Sequence, residues 1–370
     1  MLLWLLHRYG HLLEHLEPAD VATETRVFIT SRTALASFTA FLLAVIFGPA
    51  AIRWLKGRFR ERIASDSARL NELHKAKERT PTMGGLLIMG AMFTAVLLWG
   101  NLSNRYVQLA MLLSVGMGAI GTLDDWIKLS TDRKGLTVRQ KFMGQLVVSL
   151  VVSAILYLEH RTRPHGLELL WPYGAFGISL GPLFVGWSML LLVYSSNAVN
   201  LTDGLDGLAA GCMVFAGAAF VALSYLGGHK QLAGYLGTPY MPGCGELTVV
   251  LGAMVGAVLG FLWFNCHPAE VFMGDAGSLP LGGLIGLAAL VTRQEILLAI
   301  VGGIFLIETL SVVLQVAWYR RTKTRILLCS PLHNHFLFQG MHETKIVTRF
   351  WITAALLAIA AIASLKLRTG

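Results

Sequence analysis

Long apolar segments follow one another along most of this sequence, separated by short polar connections. Each is close to the roughly 20 residues that an α-helix needs to cross the hydrocarbon core of a membrane. Inside a bilayer the backbone amides must be hydrogen-bonded within the protein, so such a chain folds as a bundle of helices. We therefore predict an all-α polytopic membrane protein with about ten transmembrane helices. The segments lie at residues 33–52, 83–100, 106–123, 142–158, 179–196, 208–226, 247–265, 278–292, 295–319 and 348–366.

The composition agrees with this fold class. Of the 370 residues, 55% are hydrophobic and 14% are charged, whereas a soluble domain has about 25% charged residues. The four cysteines are scattered and form no Cys-x-x-Cys pair, so neither a disulfide framework nor a zinc ribbon is predicted. The net charge of +9 falls in short loops between apolar segments, which indicates a membrane surface and anionic substrates, and no nucleic acid.

Positive charge alternates from one connection to the next. The loops at 53–79, 126–141 and 320–325 hold nine, five and four Lys or Arg residues, whereas those at 101–105, 227–246 and 293–294 hold one each. By the positive-inside rule the basic loops are cytoplasmic, and ten helices then put both termini on the periplasmic side.

Two regions are expected along the chain. The first region, residues 1–30, mixes apolar residues with charged residues and histidines. It has no small-residue cleavage site after an uninterrupted apolar core, which argues against a cleaved signal peptide. We predict an interfacial amphipathic helix over residues 1–30. Residues 31–370 are then a single transmembrane catalytic domain.

The third apolar segment ends in the pair Asp124-Asp125. Two adjacent carboxylates at the C-terminal end of a helix are electrostatically unfavourable, and they recruit a proton or a divalent cation. Lys128 follows one helical turn later, where it either neutralises the pair or holds a phosphate. The alternative is a solvated helix end with an ordinary ion pair.

The densest polar stretch runs from 197 to 207, between two apolar segments. Asn197, Asn200, Asp203 and Asp206 recur every three residues and would share one face of a helix. The glycine that follows each aspartate instead indicates a broken helix whose backbone can contact a ligand. Polar groups at the seam of two membrane helices are costly unless they bind something. A water-filled turn is the alternative.

A third motif joins the segments that end at Asn265 and begin at Ser278. Asp275 lies beside glycine immediately before a helix, where it either caps the helix or holds Mg²⁺ that bridges to a diphosphate. Phe272 is an exposed aromatic candidate for stacking on a base.

Three further polar features have weaker signals. We predict that His333 and His335 bind phosphate or a metal; the alternative is two loop histidines whose ring nitrogens are hydrogen-bonded within the protein. Lys77 lies among basic residues at a membrane rim, where anchoring to lipid headgroups is the alternative to substrate binding. Glu308 lies within an apolar segment, where a carboxylate is functional or hydrogen-bonds a neighbouring helix.

In their order, these motifs resemble those of bacterial phospho-N-acetylmuramoyl-pentapeptide transferases, in the polyprenyl-phosphate N-acetylhexosamine-1-phosphate transferase superfamily. The resemblance covers nearly the whole chain from about Lys77. The motifs that carry it are Thr80-Pro-Thr-Met-Gly-Gly85, Asp124-Asp125-x-x-Lys128, Asn197-x-x-Asn200-x-x-Asp203-Gly-x-Asp206-Gly207, Asn265-x-x-Pro-Ala-x-Val-Phe-Met-Gly-Asp275-x-Gly-Ser278, Glu308-Thr-Leu-Ser-Val-Val-Leu-Gln315 and Pro331-Leu-His-x-His-Phe336.

The resemblance implies an Mg²⁺-dependent transfer of phospho-MurNAc-pentapeptide from its UDP carrier to undecaprenyl phosphate, giving lipid I and UMP. This is the first membrane step of peptidoglycan synthesis. The implied catalytic residues are Asp124, Asp125, Asp275, His333 and His335. Substrate would be bound by Lys77, Thr82, Lys128, Asn197, Asn200, Asp203, Asp206, Asn265 and Phe272, and Mg²⁺ by Asp275, Asp203 and Asn200.

The implied location is the bacterial inner membrane, with the active site on the cytoplasmic side, and a homodimer is one compatible assembly. Two positions depart from the family pattern. Asn334 is the middle residue where three successive histidines are usual. The lysine that often follows the second motif has no exact match here, and Lys141 is its nearest counterpart. The alternative functions are a polyprenyl-phosphate GlcNAc-1-phosphate transferase and, from a different class, a membrane transporter.

Overall fold

The computed structural model describes residues 29–58, 80–131, 135–171 and 176–365, and most of this chain is helical. Nine of the described helices are long and apolar enough to cross a membrane, and Gly85–Trp99 is a shorter apolar helix. The predicted all-α polytopic fold is confirmed. The helices are α1 (Ile29–Arg58), α2 (Gly85–Trp99), α3 (Arg105–Ser130), α4 (Val138–His160), α5 (Leu183–Thr202), α6 (Leu208–Gly228), α7 (Lys230–Leu236), α8 (Leu247–Asn265), α9 (Asp275–Thr292), α10 (Glu295–Val301), α11 (Gly303–Thr322), α12 (Leu332–Phe338) and α13 (Glu343–Ser364).

Several predicted boundaries need correction. The span predicted at 106–123 continues to Ser130, so Asp124 and Asp125 lie inside the last turns of α3 and do not follow its end. The span predicted at 295–319 is two helices, α10 and α11, which meet at Gly302. The span predicted at 278–292 begins three residues earlier, at Asp275, because that aspartate is the first helical residue. Residues 29 and 30 belong to α1 rather than to an interfacial helix, and the rest of the predicted 1–30 segment lies outside the described residues.

Helix α9 is the centre of the bundle, and all of its residues are buried. Its neighbours approach it backbone to backbone: a Cβ on Gly85 would lie 2.0 Å from Gly277 N, and one on Gly121 would lie 2.1 Å from Asp275 O. Small residues permit such close contacts between membrane helices. The starts of α2 and α9 and the last turns of α3 are thereby fixed next to one another.

The opposite end of the bundle is held by buried arginines. Arg32 donates to both carboxylate oxygens of Glu246, at 3.0 and 2.5 Å. Arg293 donates to the backbone of β1 (Glu168–Leu170), which pairs antiparallel with β2 (Gly177–Ser179). Because Arg32 contacts the start of the segment that leads into α8, the first described helix begins at the end of the bundle away from the polar motifs.

Candidate active site

Three aspartates meet where α3 ends and α9 begins. Asp124 and Asp125 lie near the end of α3 and Asp275 opens α9, and their exposed fractions are 3%, 3% and 7%. One carboxylate oxygen of each lies within 4.8 Å of those of the other two. Carboxylates this close repel one another strongly in a buried site. The group, here called the aspartate cluster, therefore needs positive charge beside it.

Two lysines supply that charge. Lys128 Nζ lies 2.7 Å from Asp124 Oδ2, 3.4 Å from Asp125 Oδ1 and 3.1 Å from Asp275 Oδ2. Lys141 Nζ, from the start of α4, lies 2.5 Å from Asp275 Oδ2 and 3.7 Å from Asp124 Oδ2. Three carboxylates thus face two ammonium groups, which leaves one formal negative charge.

Backbone amides fix the orientation of two of the carboxylates. Ala276 N donates to Asp125 Oδ2 at 3.0 Å, and Leu136 N donates to Asp124 Oδ1 at 2.7 Å. Gly274 has φ 70° and ψ 179°, a conformation that is essentially restricted to glycine. A Cβ there would lie 2.5 Å from Asp125 Oδ2. Glycine is therefore required before Asp275 both for the backbone and for the neighbouring carboxylate.

The segment before α2 runs beside the segment before α9. Phe272 N donates to Pro81 O and Gly84 N donates to Phe272 O, both at 2.8 Å. This pairing brings two predicted substrate-binding residues close to the aspartate cluster. Thr82 is buried there, and Phe272 is half-buried rather than exposed as expected. Lys77 lies outside the described residues.

The end of α5 contributes one residue to the aspartate cluster. Asn200 donates a short hydrogen bond to Asp275 Oδ1 and a second bond, 2.9 Å long, to Ser278 Oγ. Asn197, one turn earlier, instead donates to Gln145 Oε1 at 2.7 Å and so faces α4. The two asparagines therefore have different partners, and substrate binding by Asn197 stays a prediction.

Asp206 belongs to a second polar cluster. Its Oδ2 accepts hydrogen bonds from His267 Nδ1 at 3.1 Å and from Ala269 N at 3.0 Å. Its backbone N–H donates to Glu343 Oε1 at 2.8 Å. Asp203 is the C-terminal cap of α5. Among the described residues, it is not part of either group of acidic or histidine side chains whose ligand atoms lie within 4.8 Å of one another. The predicted break in the helix is present, since α5 ends at residue 202 and α6 begins at 208.

Asn265, a predicted substrate-binding residue, connects two loops beside the site. Its Oδ1 accepts from Gly207 N at 3.1 Å, and its Nδ2 donates to Val271 O at 2.8 Å. The side chain is buried, and both polar atoms of its carboxamide are engaged within the protein. Asn265 therefore joins the loop after α5 to the loop before α9 and positions both.

The two histidines face different surroundings. His333 is buried, and its Nδ1 lies 3.0 Å from Glu308 Oε2. His335 is half-buried, and its Nδ1 accepts from Leu328 N, in the segment just before α12, at 3.2 Å. Of these two histidines, His333 is the one whose ring contacts a side chain of another helix, α11.

Sequence reasoning did not identify four polar partners of the predicted residues. Ser278 closes a motif that the sequence showed, but its hydroxyl was not assigned to the site. The other three stand outside the polar positions of the motifs, and Glu343, in the first turn of a helix, would be explained by compensation of the helix dipole. No local signal marks them, because their partners lie far away in the chain. They are Gln145, His267, Ser278 and Glu343.

An apolar groove of about 380 Å³ lies between α5, α9, α10 and α11. Its lining follows α5 from Trp187 to Val199 and includes Gly282 and Phe305. Leu190 at its rim is exposed, so the groove reaches the outer surface of the bundle. Val199 precedes Asn200 in the chain, so one end of the groove lies next to the aspartate cluster.

The donor atoms of the aspartate cluster suit a hard divalent cation. Mg²⁺ prefers carboxylate and other oxygen ligands, and the cluster offers three carboxylates within 4.8 Å of one another. The ammonium group of Lys128 contacts oxygens of all three aspartates, which are the oxygens that would hold such an ion. An ion bound there would have to share or displace this lysine.

Known proteins resemble this chain over its full length. Residues 107–293 match the model of glycosyl transferase family 4, and a phospho-N-acetylmuramoyl-pentapeptide-transferase of Koribacter versatilis is 44% identical over 100% of both chains. The chain belongs to the phospho-N-acetylmuramoyl-pentapeptide-transferase family. Members from Nitratidesulfovibrio vulgaris and Thermodesulfovibrio yellowstonii are 48% and 45% identical, each over 92% of this chain and 94% of the relative. The resemblance drawn from the motifs is confirmed.

Proposed function

We propose that this protein transfers phospho-MurNAc-pentapeptide from UDP-MurNAc-pentapeptide to undecaprenyl phosphate, giving lipid I and UMP. The observation that carries the proposal is the aspartate cluster, buried beside an apolar groove and contacted by two lysines. Family membership supports the substrates. The proposed location is the cytoplasmic side of the bacterial inner membrane, which the Lys- and Arg-rich loops support.

Phosphoryl transfer depends mainly on positioning the phosphates and neutralising their charge. Lys128 and Lys141 already lie among carboxylates, from which their ammonium groups can turn to the oxygens of an arriving phosphate. Lys77, His333 and His335 are proposed to steady further phosphate oxygens. Asp203, Asp206 and the half-buried ring of Phe272 are proposed to line the nucleotide pocket.

Asp124 is the carboxylate that we assign to the lipid phosphate. It would remove or orient a proton on that phosphate and so prepare an oxygen for attack. Asp125 is held toward α9, because its Oδ2 accepts from Ala276 N at the start of that helix, whereas the amide that holds Asp124 belongs to Leu136, before α4. Its proposed role is to hold Lys128 and the start of α9 in place.

Mg²⁺ is the proposed cofactor, and Asp275 is its first ligand. Asp124 and Asp125 offer the nearest further carboxylates, and Asp203 and Asn200 remain proposed ligands. The carboxamide nitrogen of Asn200 faces Asp275, so its oxygen would bind an ion only after the amide turns over. When bound, Mg²⁺ supplies positive charge to the diphosphate.

The groove between α5 and α11 is the proposed site of the polyprenyl chain. Its lining is mostly apolar and includes Val199, which precedes Asn200 in the chain. A lipid that lies there would present its phosphate to the aspartate cluster while its tail stays in the bilayer. This arrangement would place the catalytic residues at the membrane surface.

The decisive experiment measures transfer of radiolabelled sugar phosphate to undecaprenyl phosphate by the purified protein. We expect lipid-linked product and UMP with UDP-MurNAc-pentapeptide, and loss of both products when EDTA removes Mg²⁺. Product from UDP-GlcNAc alone would indicate a GlcNAc-1-phosphate transferase instead. Flux of substrate across proteoliposomes without UMP release would indicate a transporter.

A further inference from the structure

A buried carboxylate–histidine pair lies outside the aspartate cluster, between α11 and α12. Glu308 of α11 is 0% exposed, and His333 of α12 is 1% exposed. The backbone N–H of His333 donates to Glu308 Oε1 at 3.1 Å, and its ring Nδ1 lies 3.0 Å from Oε2. One residue thus engages both oxygens of one carboxylate, which fixes the position of the ring and its rotation.

The pair also determines which ring nitrogen carries a hydrogen. An ionised carboxylate can only accept hydrogen bonds, so with Glu308 in its ionised form Nδ1 of His333 is the donor. The other nitrogen, Nε2, faces the turn after α5, where it would lie 2.3 Å from a Cβ on Gly204. Glycine at this position leaves room for the imidazole. Glu308 therefore directs Nε2 at the turn that follows Asp203.

That turn is continuous with the candidate active site. Asn200, in the last turn of α5, donates to Asp275 of the aspartate cluster. On the other side of the turn, Gly207 N is held by Asn265. The imidazole consequently faces a polar segment that is fixed at both ends, and not the lipid.

A purely structural contact would not need a carboxylate at this position. A charged side chain within a membrane-spanning helix is expensive, and a glutamine oxygen could accept the backbone N–H equally well. The carboxylate adds a charge-assisted bond to the imidazole, and it excludes the tautomer in which Nδ1 is an acceptor. These are properties of a group that prepares a histidine for chemistry.

We propose that Glu308 is a positioning residue, which holds the His333 ring in its Nδ1–H form and aims Nε2 at a phosphate-bearing substrate beside the 203–204 turn. The inference rests on the proposed function. With Nδ1 committed to Glu308, Nε2 is the ring nitrogen that bonds the substrate: it accepts a hydrogen bond when the ring is neutral and donates one when it is protonated.

The test compares Glu308→Gln and Glu308→Asp in the full chain, labelled with ¹⁵N-histidine in detergent. The His333 signals are assigned by their absence in His333→Gln. We expect the Nδ1–H tautomer in the wild type and in Glu308→Asp, and the other tautomer in Glu308→Gln, whose NH₂ group can donate to the ring. In Glu308→Gln, kcat should fall on the order of 10- to 100-fold, with little change in KM, and Glu308→Asp should restore part of it.

Glu246→Gln is the matched control, because Glu246 is also a buried carboxylate but pairs with Arg32 at the other end of the bundle. It should lower the thermal midpoint and leave the His333 spectrum unchanged. Wild-type kcat with an unchanged spectrum in Glu308→Gln would overturn the proposal. A fall in kcat no larger than the loss of folded protein accounts for would overturn it as well. The spectrum needs no turnover, so a wild type that transfers nothing contradicts the proposed function separately.

Discussion

Lys128 is the residue whose contacts say most about how the aspartate cluster works. Its ammonium group lies within 3.4 Å of oxygens from all three aspartates. A divalent cation would compete for the same oxygens. The lysine thus bridges the three carboxylates, and under the proposed function it would become available to a phosphate when a divalent cation binds.

Replacing Lys128 by methionine should separate metal binding from catalysis. Without the competing ammonium, we expect Mg²⁺ to bind roughly tenfold more tightly, which corresponds to about 1.4 kcal/mol. The transfer rate should nevertheless fall by about 10²-fold, because a cation beside the reacting phosphates is lost. Calorimetric Mg²⁺ titration and initial rates measure the two effects. Lys345→Met, an exposed lysine of α13, is the control, and weaker Mg²⁺ binding in Lys128→Met would contradict the competition.

Gly274 provides a second prediction at this scale. Alanine there meets Asp125 Oδ2 at 2.5 Å and Thr82 Oγ1 at 2.9 Å, in a backbone conformation that disfavours side chains. Gly274→Ala should cost about 1–3 kcal/mol of stability and abolish most transfer. Gly340→Ala is matched in that its φ is also positive, at 88°, but nothing lies within 4 Å of the added Cβ. Equal loss of activity in the two variants would show that backbone strain alone is responsible.

Among the elements, α9 decides how the helices meet. It is buried along its whole length, and its close contacts run through glycines on α2 and α3. Such contacts bring helix ends together without long side chains between them, which is why aspartates from α3 and α9 can share one lysine. The break at Gly302 has a related effect, since α10 and α11 both line the apolar groove.

Two glycines of α2 test this packing. A Cβ on Gly85 would lie 2.0 Å from Gly277 N, whereas one on Gly90 would meet nothing within 4 Å. Gly85→Ala should therefore destabilise the protein by about 1–3 kcal/mol through overpacking. Gly90→Ala should gain about 0.5–1 kcal/mol from its better helix propensity. Thermal midpoints in detergent compare them, and similar midpoints would mean that α2 does not pack on α9 this closely.

For the whole molecule, the alternating direction of the helices brings the polar motifs to one end. The loop that carries Cys266 belongs to that end, and the connection that carries Gly234 belongs to the other. The basic loops predict that the first of these ends is cytoplasmic.

Labelling of cysteines tests that orientation. Cys266 is exposed, whereas Cys212 and Cys244 are buried. In a Cys329→Ser background, a membrane-impermeant maleimide should label Cys266 in inverted vesicles and not in intact spheroplasts. Gly234→Cys, in α7 with open space around it, should show the opposite pattern once Cys266 is replaced by serine. Labelling of Cys266 from outside would reverse the proposed topology.

The sequence by itself determined the fold class, the approximate spans and the family. Hydropathy acts on each segment separately, so the helices could be predicted without knowledge of their neighbours. The polar motifs at 124–125, 197–207 and 265–278 were also visible, because charged and amide residues stand out against apolar surroundings.

Only the tertiary structure decided which of these residues act together. It brought Lys141 and Asn200 to Asp275, turned Asn197 toward α4, gave Asn265 a positioning task and paired Glu308 with His333. These contacts join residues up to 134 positions apart. They depend on the faces by which helices pack, and a single chain's residue pattern does not encode which faces meet.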